Sequence, residues 1–60
     1  MNAMNYNIKV AESIKKNLKN GQTKVVTMEE FAGTGKDFCE ACKVVGLNVV
    51  MNAYSVFVKK

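Results

Sequence analysis

Four glycines divide this chain, and the spacing of its apolar residues changes character at each division. Before Gly21, Val10, Ala11, Ile14 and Leu18 recur at the spacing of one helical stripe. Lys9, Glu12, Lys15, Lys16 and Lys19 fall on the opposite side. This pattern predicts a helix from about Asn7 to Asn20, with Asn5 or Asn7 as its cap and Gly21 as its left-handed stop. Residues 1–6 read as a loose tail. Thr23 to Val26 are β-prone and predict a brief strand.

Thr27-Met28-Glu29-Glu30 then matches a capping box, with Val26 and Phe31 placed as a hydrophobic staple. The match predicts a short second helix from Met28 to about Ala32. Gly33-Thr34-Gly35 breaks it, and Thr34 with Asp37 is a second cap. A third helix is expected over Lys36 to Val45, with Phe38, Ala41, Cys42 and Val45 on one face. Gly46 is its C′ residue, and Leu47 is set to fold back on Cys42.

From Leu47 to Val58 the chain is rich in Val, Tyr and Phe. A β-hairpin turning at Asn52-Ala53 pairs Met51 with Tyr54, Val49 with Val56 and Leu47 with Val58, which gathers the apolar set on one face. Asn48, Val50, Ser55 and Phe57 then form the other face. The expected fold is a single α+β domain over residues 1–60: three short helices and a C-terminal hairpin.

That order resembles a minimal winged helix-turn-helix domain. The resemblance rests on Val25 to Ala32 leading into the second helix, on Gly33-Thr34-Gly35 as the turn, on Phe38 to Val45 as the third helix and on Asn52-Ala53 as the wing. It implies that the third helix enters the major groove while the wing touches the DNA backbone.

Charge redirects that implication. The formal net charge is +4, carried by nine lysines; there is no arginine for bidentate guanine contacts and no histidine. Met28 to Cys42 holds Glu29, Glu30, Asp37 and Glu40 against Lys36, a net of −3. The remainder holds eight lysines and Glu12, a net of +7. Phosphates repel the acids of the third helix. A nucleic-acid surface therefore falls to Lys9, Lys15, Lys16 and Lys19, with Lys36, Lys43, Lys59 and Lys60. The leading expectation is a small non-enzymatic regulator that binds nucleic acid through this lysine-rich surface, alone or as a homodimer. The alternative is a protein-binding module or inhibitor of the kind phages and plasmids encode. It would use the acidic Glu29, Glu30, Asp37 and Glu40, or Val50 and Phe57 on the hairpin's outer face.

Catalysis has few candidates. Histidine, the commonest base at neutral pH, is missing. Cys39-Glu40-Ala41-Cys42 offers one CxxC pair where a structural zinc needs four ligands, so both thiols read as small core residues, and neither metal nor cofactor is expected. Gly33-Thr34-Gly35-Lys36 resembles the end of a phosphate loop, but Glu30 and Asp37 stand where that loop needs Gly and Ser or Thr. Glu29 and Glu30, as neighbours on one turn, point apart and favour the helix dipole. The N-terminal segment lacks the cationic and apolar regions of a signal peptide, and the two cysteines suit a reducing cytoplasm. No apolar run approaches the ~20 residues of a membrane span.

Overall fold

A computed structural model describes residues 3–60. It contains two helices and a three-stranded antiparallel sheet, an α+β fold. Helix α1 spans Ala3–Asn17, strand β1 Thr23–Thr27, helix α2 Gly35–Val44, strand β2 Asn48–Met51 and strand β3 Ser55–Lys59. The sheet order is β1-β3-β2. No helix among the described residues is long and apolar enough to cross a membrane.

Helix α1 follows the expected stripe. Ala11 and Ile14 are buried, and Val10 and Leu18 pack at the edge of the same cluster. It begins earlier than the cap signals suggested and ends at Asn17, short of the expected Asn20, so Gly21 lies in the following turn and is not the helix stop. Ala3 to Tyr6 of the expected tail are helical, while Met1 and Asn2 lie outside the described residues. Asn7 is not a cap. It sits inside the helix, fully buried, and its side chain clamps the β1–α2 connection. Asn7 Nδ2 donates to the Ala32 carbonyl at 2.8 Å, and the Ala32 amide donates to Asn7 Oδ1 at 2.8 Å. The carboxamide imitates a peptide unit of a neighbouring strand.

The second expected helix is absent. Residues 28–32 form a turn and bend instead. The Glu30 carboxylate does reach back to the Thr27 amide at 2.9 Å, as a capping box requires. The reciprocal bond is missing, because the Glu30 amide donates to the Thr27 carbonyl at 3.0 Å and closes a β-turn. The helix pair expected over residues 28–45 is therefore a turn followed by one helix. The staple residues still meet the core: Val26 and Phe31 are both buried, and Phe31 stacks on Phe38 with centroids 4.9 Å apart.

Helix α2 matches its signals closely. Thr34 Oγ1 accepts from the Asp37 amide at 3.2 Å, and the Asp37 carboxylate accepts from the Thr34 amide at 3.0 Å. At the other end the Gly46 amide donates to Lys43 and the Leu47 amide to Cys42, with Gly46 at φ +86°. These two bonds are the Schellman pair.

The two C-terminal strands pair antiparallel, but not as a separate hairpin, since β1 adds to β3 and completes the sheet. Val49 pairs with Val58 and Met51 with Val56, two residues away from the expected register. The turn falls on Ala53-Tyr54. Asn52 closes it, its amide donating to the Ser55 carbonyl and its Oδ1 accepting from the amides of Tyr54 and Ser55. An Asx turn of this kind needs no positive φ, and no non-glycine residue among those described has one. Tyr54 is consequently 83% exposed rather than paired with Met51.

Because the shift is by two, the side chains of the paired residues 48–51 and 55–58 keep their expected faces. Val26, Val56 and Val58 point inward against Ala11, Ile14, Phe38 and Cys42. Both helices thus lie on one face of the sheet, and the other face is open.

Candidate functional site

The open face is built from alternate residues of all three strands. Its middle row is Val25, Phe57 and Val50, directly opposite one another across the sheet. Val25 is 49% exposed and Val50 68%, while Phe57 on the central strand is half-buried between them. One flanking row is Thr23, Lys59 and Asn48, and on the other side Thr27 pairs with Ser55. The surface is an apolar bar between polar rims, with one cation and no carboxylate among its own residues. Of the expected site residues it gathers Val50, Phe57 and Lys59; Val25 was missed because β1 was not expected beside the hairpin.

The expected lysine surface divides. Lys15 and Lys60 serve helix ends. Lys15 Nζ donates to the Val45 carbonyl at the end of α2 at 2.6 Å, and Lys60 Nζ donates to the Lys15 carbonyl in the last turn of α1 at 3.1 Å. A cation at these carbonyls meets the negative end of the helix dipole. Lys43 lies 3.8 Å from Glu40 one turn back on α2. Lys9 and Lys16 are exposed on α1 with Glu12 between them, Lys19 follows the helix and Lys36 lies on the first turn of α2. Of the expected lysines, Lys59 alone stands on the open face of the sheet.

The expected acidic surface is largely engaged within the chain. Glu30 accepts from Thr27 and lies 3.8 Å from Lys24 Nζ, Asp37 is held by its capping box, and Glu40 faces Lys43. Glu29 is exposed in the turn after β1.

Both cysteines are free, and burial raises the Cys39 thiol above its ordinary value, with Lys43 opposing and Glu40 adding to the shift. Burial, and to a lesser degree Cys39, pushes Cys42 up to about 11. A thiol held protonated is a poor nucleophile and a poor metal ligand. No group of three His, Cys, Asp or Glu side chains converges among the described residues.

A cleft of about 210 Å³ lies between the β1–α2 connection and the β2–β3 turn, bordered by Met28, Met51 and Tyr54. A larger groove of about 700 Å³ runs along α1 beside β1, with Tyr6, Val10 and Ile14 on its apolar side and Lys9, Lys24 and Glu30 at its rim. Sequence reasoning missed this groove, because Lys24 and Tyr6 carry no motif and meet only in three dimensions. Compared with protein-family models, with curated proteins and with solved structures, the chain matches none.

Proposed function

We propose that this chain is a small non-enzymatic protein-binding module whose contact surface is the open face of the sheet. The observation that carries the reading is the cross-strand bar of Val25, Phe57 and Val50, uncovered by either helix. A contiguous apolar strip with polar rims is the usual anatomy of a contact surface. The division of the charges supports it as well. Lys15 and Lys60 are engaged at helix ends, and Glu30, Asp37 and Glu40 are engaged within the chain, which leaves fewer free charges than the sequence suggests.

A second reading has one specific observation behind it. Phe57 and Lys59 share the open face, where a single nucleic-acid strand could stack a base and neutralise a phosphate.

One experiment separates the two. The tagged chain is used to capture partners with and without nuclease, at low and at moderate salt. Val50→Asp is expected to abolish capture while thermal unfolding stays nearly unchanged, because this side chain is exposed. Capture should survive nuclease and change little with salt. If Val50→Asp and Phe57→Ser both retain the same partner, the open face is not the contact surface. Capture lost to nuclease and steeply to salt selects the nucleic-acid reading instead.

A further inference from the structure

The sheet is too narrow for the helices above it. Two packed helices span about 20 Å, whereas three strands at about 4.8 Å spacing span markedly less. Helix α2 packs on β2 and β3, and α1 packs chiefly on α2, its Tyr6, Val10 and Ile14 lining one groove with Lys24 of β1. The flank of α1 formed by Tyr6, Val10 and Ile14 therefore overhangs the β1 edge, and the 700 Å³ groove is the space beneath it. A fourth strand beside β1 would fill it.

The edge can accept one. In an antiparallel ladder, successive residues alternate between bonding to the neighbour and pointing both backbone groups away. The Gln22 carbonyl accepts from the Lys60 amide, so the even-numbered residues of this segment bond to β3. Thr27 has the opposite phase, with its amide on the Glu30 carboxylate and its carbonyl on the Glu30 amide. Thr23 and Val25 share that phase and present their N–H and C=O groups outward. Glu30 thus closes one end of the edge and leaves a short stretch that fixes register.

We infer that β1 and the groove beneath α1 bind an extended peptide segment of a partner protein, added as a fourth strand, carrying one apolar and one acidic inward side chain. The apolar side chain would lie opposite Val26, against Val10 and Ile14. The carboxylate would lie opposite Lys24, within the field of Lys9 and Lys24. Glu30, the one carboxylate lining the groove, is already held by Thr27 and Lys24. A second copy of this chain fits worse, since its β1 would bring another Lys24 into a groove that already holds two cations. The inference rests on the protein-binding reading but uses a different surface from the open face.

The probe is a capped tetrapeptide, Leu-Val-Glu-Thr, written antiparallel to Thr23–Val26 and titrated into the isotope-labelled chain by NMR. Saturable shifts are expected at the amides of Thr23 and Val25 and along Val10, Ile14 and Asn17. The same peptide with Lys in place of Glu should bind about tenfold more weakly. Lys9→Glu should narrow or reverse that preference, which no loss of stability would do. Val25→Pro, which removes an outward N–H without touching the β3 ladder, should abolish binding. No saturable shift, equal binding of both peptides, or shifts confined to Asn48 and Val50 would overturn the inference. So would concentration-dependent shifts of the β1 amides without peptide, which would assign the edge to a second copy. Val50→Asp must leave the titration unchanged. Loss of partner capture in that variant, with no peptide binding, sinks this inference and leaves the open-face reading standing.

Discussion

Asn7 is the one polar side chain fully buried among the described residues, and both of its polar atoms are spent on the Ala32 peptide. Asparagine ahead of an apolar run reads as a cap, since a cap is where that residue usually stabilises a helix. The signal against capping is its place on the stripe: Asn7 precedes Ala11 by four and Ile14 by seven residues. The stripe supplies the position but not the partner, because Ala32 is twenty-five residues away and has no side-chain signature. The clamp fixes the β1–α2 connection where a helix was expected. Asn7→Ala would leave the half-buried Ala32 N–H and C=O without this partner, a loss of about 1–3 kcal/mol. A domain of this length holds only about 3–9 kcal/mol in total, so urea unfolding should shift to a much lower midpoint. Asn7→Leu should not rescue it, although it restores volume; rescue by Leu would show that packing, not the paired hydrogen bonds, holds the connection.

Among elements, the two cap signatures are instructive because they diverge. Thr27 with Glu30 and Thr34 with Asp37 both satisfy the same local rule. Only the second opens a helix. After Asp37 the chain offers Phe38, Ala41 and Cys42 at helical spacing. After Glu30 it offers two residues and then Gly33 at φ +75°, and Phe31 must turn inward at once to stack on Phe38. Tertiary packing therefore outweighs a cap worth about 1 kcal/mol. The far end of α2 was legible because every part of the Schellman motif lies within six residues, Cys42 to Leu47. Its long-range supplement, Lys15 Nζ on the Val45 carbonyl, was not. Gly46→Ala should cost about 1–2 kcal/mol for its left-handed backbone. Its new Cβ would also lie 3.2 Å from Lys15 Nζ and crowd that bond. In a Lys15→Met background the same change should cost measurably less. Equal costs in both backgrounds, compared by urea midpoint at constant slope, would show that the cap and the glycine act independently.

At the scale of the whole molecule, the alternation of Val49 to Val58 specified which face each side chain takes. It did not specify the register, because a shift of two residues preserves the faces. What selects the observed register is the Asn52 carboxamide, which satisfies the amides of Tyr54 and Ser55. The place of β1 beside β3 was not legible, since pairing between distant strands leaves no local mark on either. That placement creates both surfaces proposed for binding: it adds Val25 to the open bar and leaves one edge of β1 unpaired beneath α1. It also fixes the pattern of backbone protection. On β3, the odd-numbered residues bond to β2 and the even-numbered ones to β1, as the Asn52–Ser55 and Gln22–Lys60 bonds at the two ends of the sheet require. Hydrogen exchange should accordingly be slow along the whole of β3 and alternate along β1. The amides of Lys24 and Val26 should be protected by the ladder. Those of Thr23 and Val25 should exchange close to the free rate, and Thr27 should lie between because Glu30 holds its amide. The opposite alternation would move the outward N–H and C=O groups to Lys24 and Val26. Val25→Pro would then remove a ladder donor rather than an edge donor, so this measurement checks the sheet and the edge together.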